Sequence, residues 1–237
     1  MTILYFVTPA WQRFELTAIC LEQRRLVIEE LAKHGIEARQ VVVADDENLD
    51  IARGLGFETV ERDNTWLGRK FNDGQEWAGK HGADWIVPIG SDSWVDPRYF
   101  LPLPHPSRTG SSHMYAPVQP DRLAILRVGQ VGAGPHLFHR SSMLRSGFRP
   151  APDRISRNTD HLTIKGLDRP PRWVWHDVHP LQYVGFRVPP FITQYDRLLF
   201  RWGVSERLDP FDALREHYPG DLVDRVEALM TLTSTRV

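Results

Sequence analysis

The chain has 237 residues, of which 41% are hydrophobic and 25% charged, and eight tryptophans are spread along its length. This composition excludes a largely disordered chain, and the formal net charge of -1 argues against a protein that coats DNA, so we expect no stable nucleic-acid complex. No apolar run approaches the roughly 20 residues that span a bilayer, no signal-peptide pattern opens the chain, and Cys20 is the single cysteine. We therefore expect a cytoplasmic protein without a membrane span.

Residues 1–100 alternate between strand and helix signals. Short apolar runs predict strands at residues 3–7, 41–43, 57–61 and 85–89. Apolar residues at helical spacing predict helices at residues 14–34, 48–53 and 67–80. This alternation predicts βαβ crossovers and an α/β fold with a mostly parallel sheet flanked by helices.

The second half of the chain gives weaker signals. Residues 107–200 are rich in glycine, proline and aromatic residues and predict an irregular region. Near the end, Asp209 and Asp221 each precede an apolar helical pattern and are predicted as the N-caps of two helices.

Polar residues follow three of the predicted strands directly. They are Thr8 and Pro9 after the first strand, Asp45 and Asp46 after the second, and Ser91, Asp92 and Ser93 after the fourth. The carboxyl ends of parallel strands meet at one edge of a sheet, and open α/β sheets bind their ligands there. The sequence therefore predicts a ligand site at this edge.

Four segments, in the expected order and spacing, resemble glycosyltransferase family 2. They read V-T-P-A-W-Q-R, V-V-V-A-D-D-E-N, L-G-R-K-F-N-D-G and G-A-D-W-I-V-P-I-G-S-D-S-W-V-D-P. The resemblance covers residues 3–100 and continues more weakly to about residue 200. It implies one GT-A domain, which is Rossmann-like, over residues 1–237, with a nucleotide-sugar-binding half (1–100), an acceptor or catalytic half (101–200) and C-terminal helices (201–237).

The resemblance also implies a nucleotide-diphosphate-sugar donor, with a UDP-sugar favoured. Asp45 matches the carboxylate that holds the nucleobase, although it could instead be a capping residue like Asp46. Thr8 and Pro9 match the segment that packs on the nucleoside. The full set of expected donor-binding residues is Thr8, Pro9, Arg13, Asp45, Lys70, Asn72, Ser91 and Asp92.

A divalent metal, Mn²⁺ or Mg²⁺, is a further implication of the resemblance, because a metal can stabilise the charge of the leaving diphosphate. The family's D-x-D motif reads Gly90-Ser91-Asp92 here, so only its second aspartate is present. His176 and His179 compete as an additional metal ligand. The alternative role for Asp92 is to cap a turn.

The segment S-R-N-T-D-H-L-T-I-K resembles the one that carries the family's catalytic base. Asp160 matches the base, and Thr159 replaces the glutamate that usually precedes it. Asp160 could instead cap a helix, and Asp153 is then the next candidate base. One base without a nucleophile pair predicts in-line displacement with inversion.

These residues together predict an inverting, metal-dependent hexosyl- or pentosyltransferase that acts on an acceptor hydroxyl. Two other classes stay open: a degenerate, non-catalytic member that binds a nucleotide or glycan, and a nucleotidyltransferase. A nucleotidyltransferase would normally carry a glycine-rich loop after its first strand, and residues 8–13 contain no glycine. The acceptor is open among a protein, a glycan, a lipid-linked sugar and a modified DNA base.

Overall fold

The computed structural model describes residues 2–103, 111–119, 122–128, 136–156, 159–168, 174–175, 179, 181–186, 203–206 and 209–234. In chain order its strands are β1 (Thr2–Pro9), β2 (Ile36–Ala44), β3 (Glu58–Glu61), β4 (Trp85–Pro88), β5 (Ser93–Val95), β6 (Ser111–Gln119), β7 (Arg122–Val128), β8 (Phe138–His139), β9 (Val174–Trp175), β10 (Tyr183–Phe186) and β11 (Gly203–Glu206). The α-helices are α1 (Phe14–Lys33), α2 (Asn48–Gly54), α3 (Leu67–Lys80), α4 (Thr159–Lys165), α5 (Pro210–Arg215) and α6 (Gly220–Ser234).

The first sheet has the strand order β3-β2-β1-β4-β8. Its first four strands in this order are parallel, and β8 joins β4 in the antiparallel direction. Helix α1 covers one face, where Val27 and Leu31 pack with Leu4 and Phe6. Helix α3 packs on the other face. The centre of β1 is therefore buried on both faces, which explains why its residues there are apolar. The predicted parallel sheet with flanking helices is confirmed.

Gly74 allows α3 to lie close to this sheet. A Cβ atom added at Gly74 would lie 2.5 Å from Val7 Cγ1 and 2.9 Å from Val43 Cγ2. Because both neighbours are branched side chains of buried strands, a larger residue at this position would push the helix outward. The start of α3 is thus held beside the carboxyl ends of β1 and β2.

The second sheet shows that residues 107–200 are more regular than the sequence predicts. Its order is β11-β7-β6-β10-β5, and β9 pairs with β6 outside this path. Several of its pairs join distant parts of the chain, as where Tyr183 of β10 lies opposite Val95 of β5. The prediction of an irregular second half was wrong for these strands, because such long-range pairing leaves little local pattern.

The C-terminal helices α5 and α6 pack against α1 and the second sheet through a shared apolar cluster that includes Trp94. Asp209 accepts hydrogen bonds from the N–H groups of Phe211 and Asp212, so its prediction as an N-cap is confirmed. The prediction for Asp221 was wrong, because α6 begins one residue earlier, at Gly220, and its first N–H groups donate to the carbonyl of Pro219. None of the helices in the described part of the chain combines the length and apolar composition needed to cross a membrane.

Candidate functional site

A cleft of about 410 Å³ lies at the carboxyl end of β1, beside the start of α3. It is lined by Pro9, Ala10, Trp11, Gln12, Arg13, Asn64, Leu67, Lys70 and Ser156. Since β1 has β2 on one side and β4 on the other, the cleft lies where the strand order reverses. This is the position at which open α/β sheets bind ligands, and the sequence predicts a ligand site at the same edge.

The loop between β1 and α1 has a strained backbone. Gln12 and Arg13 both have positive φ angles, of 52° and 51°, in a region that costs non-glycine residues about 1–3 kcal/mol each. Two side chains after β2 hold this loop: the N–H of Gln12 donates to Asp46 Oδ2 at 3.0 Å, and Asn48 Nδ2 donates to the Gln12 carbonyl at 3.3 Å. Sequence reasoning missed this role of Asn48, which gives no signal beyond its place after a strand.

Arg13 connects the end of β1 to the end of β4. Its Nη1 donates to Asp92 Oδ2 at 2.9 Å, and its Nη2 lies 3.4 Å from the hydroxyl of Ser91. The side chains of Arg13 and Asp92 are 29% and 16% exposed. The structure therefore brings these three predicted donor-binding residues together, and Arg13 also lines the cleft.

Asp45 lies beside two residues that line the cleft, Asn64 and Lys70. The N–H of Asn64 donates to Asp45 Oδ2 at 3.0 Å, and Lys70 Nζ lies 3.9 Å from Asp45 Oδ1. Lys70 also donates to the carbonyl of Ala10 at 2.8 Å, and its side chain is only 1% exposed. Burial lowers the pKa of Lys70, and the charge of Asp45 opposes this shift. A buried amine from the cleft lining thus lies beside a partly exposed carboxylate.

Thr8 and Pro9 occupy different depths. Pro9 lines the cleft. Thr8 is buried beneath it, and its hydroxyl has no hydrogen-bond partner among the described residues. Pro9 and Leu67 therefore offer apolar surface to a ligand, whereas Thr8 lies below that surface.

Asn72 holds a loop instead of facing the cleft. Its Nδ2 donates to the carbonyl of Ala151 at 2.6 Å and to Asp153 Oδ1 at 2.7 Å. Its Oδ1 accepts a hydrogen bond from the N–H of Ala151 at 3.2 Å. The amide thus fixes the segment that precedes α4 against α3, and the hydrogen bond from Asn72, together with the charge of Arg149, lowers the pKa of Asp153.

The residues around Asp92 do not fit a divalent cation. Its Oδ2 is paired with Arg13, and its Oδ1 accepts a hydrogen bond from Ser93 at 3.1 Å. A Cβ at Gly90, where D-x-D has its first aspartate, would lie 2.5 Å from Asp92 Oδ1. Within the described ranges, no group of three or more His, Cys, Asp or Glu residues could hold a metal.

His179, one of the two candidate metal ligands, lies against Asp96. Its Nδ1 accepts a hydrogen bond from the N–H of Leu181 at 3.2 Å, so in the neutral ring Nε2 carries the proton that faces Asp96 Oδ2 at 2.8 Å. Its ring also stacks on that of His217, with centroids 4.1 Å apart. Both ring nitrogens are therefore used within the protein, and neither is placed to bind a metal in this arrangement.

Two predicted residues, Asp160 and His176, lie partly or wholly outside the described part of the chain. Asp160 is the second residue of α4, and its side chain is outside the described part of the chain. His176 also lies outside the described residues. Their predicted roles as base and metal ligand stay predictions.

A second cleft, of about 590 Å³, was not anticipated from the sequence. It is lined by Arg62, Trp66, Arg69, Asp73, Glu76, Arg149, Asp153 and Arg154. Arg149 donates to Asp73 at 2.7 Å and to Glu76 at 2.8 Å, and Arg62 pairs with Asp73 as well. These ion pairs attach the segment that carries Arg149 to α3. The chain contains many more arginines than lysines, and this excess is the sequence feature that could have indicated such a cluster.

No family model and no curated protein sequence matches this chain. Among solved structures, it is similar to Staphylococcus aureus TarS, residues 1–349, with a TM-score of 0.54 and 12% identity over 84% of this chain and 63% of that one. The TarS structure in complex with UDP-GlcNAc gives a TM-score of 0.56 and 13% identity over 81% of this chain and 61% of that one. The TarS structure in complex with UDP gives a TM-score of 0.54 and 13% identity over 84% of this chain and 64% of that one.

The chain thus spans less than two thirds of the length of these TarS structures. At this identity the similarity concerns the fold, and TarS is a GT-A glycosyltransferase. The order β3-β2-β1-β4, the flanking helices and the cleft at the strand-order reversal agree with the fold that the sequence motifs implied. The chain has the GT-A fold.

Proposed function

We propose that this protein is a glycosyltransferase that moves a sugar from a nucleoside diphosphate sugar, with UDP as the favoured nucleotide, to an acceptor hydroxyl. The main support is the position of the 410 Å³ cleft at the strand-order reversal of a GT-A fold. The TarS structures in complex with UDP-GlcNAc and UDP share this fold and suggest the class of donor.

The nucleoside belongs at the end of the cleft where Asp45 lies. Pro9 and Leu67 supply apolar walls for a planar base, and the carboxylate of Asp45 can accept a hydrogen bond from a uracil N–H. Asn64 keeps this carboxylate in place through its backbone N–H. The buried amine of Lys70 positions the wall itself, because it holds the carbonyl of Ala10.

The diphosphate belongs at the other end, beside Arg13. Its guanidinium lies at the rim of the cleft, and Arg13 is also the residue that precedes the first turn of α1. The positive end of the helix dipole therefore adds to the charge of the side chain. A phosphate group at this end meets two sources of positive potential that the fold holds in place.

Sugar transfer needs charge stabilisation and a base. As the bond from the anomeric carbon to the diphosphate breaks, negative charge builds on the diphosphate, where Arg13 stabilises it. Asp160 takes the proton of the attacking acceptor hydroxyl, which is the role that the resemblance implies. A single direct displacement then inverts the configuration at the anomeric carbon.

The test is a panel of nucleotide sugars, each incubated with the protein in EDTA, in Mg²⁺ and in Mn²⁺. We expect hydrolysis of at least one UDP-sugar to UDP and free sugar, with UDP quantified by chromatography and the anomer identified by NMR. Binding without turnover in every arm would support the non-catalytic alternative. Release of pyrophosphate from nucleoside triphosphate and sugar phosphate would support a nucleotidyltransferase instead.

A further inference from the structure

We infer that Arg13, oriented by Asp92, supplies the fixed positive charge that binds the donor diphosphate, and that diphosphate binding by this chain does not depend on a divalent cation. This inference rests on the proposed function and concerns the same site. It reverses the role that the sequence assigns to Asp92, from a metal ligand to a residue that positions an arginine.

The geometry around Asp92 is the first support. One carboxylate oxygen is 2.9 Å from the guanidinium of Arg13, and the other accepts a hydrogen bond from Ser93. A divalent cation at this carboxylate would lie beside the positive charge of Arg13 and would be repelled by it. The carboxylate is thus already neutralised by a side chain that the fold provides.

Gly90 gives an independent argument. A Cβ here would approach Asp92 Oδ1 to 2.5 Å and the hydroxyl of Ser93 to 3.2 Å. An aspartate at position 90 would therefore press on Oδ1, the oxygen that accepts the hydrogen bond from Ser93, and the side chain of Asp92 would have to shift. Glycine at this position leaves the carboxylate room for its hydrogen bond from Ser93 and its ion pair with Arg13.

The backbone of Arg13 points to the same conclusion. Its φ angle of 51° is unfavourable for a residue with a side chain, and the preceding Gln12 shares this conformation. Asp46 and Asn48 hold the loop in this state. A strained backbone that places one charged side chain at the rim of a cleft is typical of a binding site.

Arginine is well suited to this task. Its guanidinium is planar and always charged, and it has several N–H donors in a fixed fork that matches phosphate oxygens. An arginine that holds Asp92 through one side of the fork can therefore also donate to a phosphate. Ser91, whose hydroxyl lies 3.4 Å from Nη2, further restricts the orientation of the fork.

The experiment measures binding of UDP and UMP by calorimetry, in EDTA and in excess Mn²⁺. The ratio of the two affinities isolates the contribution of the β-phosphate. For the unchanged protein in EDTA we expect UDP to bind about 10- to 100-fold more tightly than UMP, the effect of charge-assisted hydrogen bonds. We expect Mn²⁺ to change this ratio by less than about threefold.

Three variants complete the test. Arg13→Gln should bring UDP close to the affinity of UMP, and Arg13→Lys should retain part of the difference, because lysine keeps the charge without the fork. Arg69→Gln is the matched control: it removes the same charge from the second cleft and should leave the ratio unchanged.

Two results would overturn the inference. One is a tenfold or greater gain in UDP affinity with Mn²⁺ in the unchanged protein, a result that does not depend on any variant folding. The other is an unchanged ratio in Arg13→Gln that still melts cooperatively. If neither UDP nor UMP binds in any arm, the proposed UDP-sugar donor fails instead, so the two failures are distinguishable.

Discussion

Replacing Asp45 by asparagine tests the nucleobase end of the cleft with little change of shape. Asparagine keeps one carbonyl oxygen but loses the negative charge, so it weakens the acceptor for a base N–H and the attraction to Lys70. Asp45 Oδ1 is 3.9 Å from Lys70 Nζ, and the aspartate side chain is 34% exposed. Solvent screens the carboxylate, but Lys70 is buried and loses the negative charge beside it, so we expect the free energy of unfolding to fall by about 1–3 kcal/mol.

The loss in nucleotide affinity is a separate effect from the loss in stability. A hydrogen bond from a uracil N–H to a carboxylate contributes about 1–3 kcal/mol, which corresponds to roughly a 5- to 150-fold weaker affinity for UDP. Because the interaction involves the base, UMP and uridine should lose affinity by the same factor. This shared loss distinguishes Asp45 from Arg13, whose replacement should affect UDP alone.

Calorimetric titration of UDP, UMP and uridine into Asp45→Asn measures these factors directly. Asp50→Asn is the control, since Asp50 is 80% exposed on α2 and pairs only with solvent-exposed Arg53 among the contacts in the structure. Thermal unfolding of both variants establishes that they are folded. If folded Asp45→Asn binds UDP as tightly as the unchanged protein, Asp45 is a capping residue and does not contact the base.

Three further outcomes are expected. Asn72→Ala removes three hydrogen bonds to the loop before α4, two of them buried, and should lower the free energy of unfolding by about 2–4 kcal/mol in urea titrations. A smaller change would mean that the loop rearranges. Burial raises the pKa of Asp96, but hydrogen bonds from His179 and Arg98 outweigh this effect and hold the pKa well below its ordinary value. The ionised Asp96 therefore stabilises the folded protein at neutral pH, and this contribution is lost as the pH falls below about 4. Asp96→Asn should therefore cost about 3 kcal/mol at neutral pH in urea unfolding, and an equal cost in acid would contradict the assignment. Asp160→Asn should lower kcat by about 100-fold with donor affinity unchanged, and lost affinity with normal kcat would assign it to binding.

The first half of the fold could be predicted because its signals are local. The centre of a strand such as β1 is apolar because helices cover both faces, and amphipathic helices separate the strands along the chain. The second sheet could not be predicted in the same way. Its strand β6 contains His113 and Pro117, and β10 pairs with strands that lie far away in sequence. Such a strand is specified by its neighbours in space more than by its own residues.

The candidate site shows the same contrast between local features, which the sequence reveals, and long-range contacts, which it does not. Asp45 and Asp92 could be identified from local features: Asp45 directly follows β2, and Asp92 lies in the short segment between β4 and β5. The contact partners of such residues are distant in the sequence. Asp92 is bound to Arg13, 79 positions away. Asn72, another predicted donor-binding residue, is bound to Ala151, also 79 positions away. Sequence alone could place a residue at the correct edge of the sheet without showing which charge or hydrogen bond it meets there.

The incomplete D-x-D motif shows why this distinction matters for function. Taken alone, glycine in place of the first aspartate indicates only a weakened metal site. In the structure, Gly90 leaves room for the carboxylate of Asp92, which pairs with Arg13. This pair depends on β1 and β4 being neighbours. We therefore interpret two features together: the missing carboxylate at position 90 and the arginine on a strained loop. Removing a negative charge and adding a fixed positive charge both favour the direct binding of an anion. On this reasoning, a divalent cation and Arg13 are alternative solutions to the same electrostatic problem at the diphosphate.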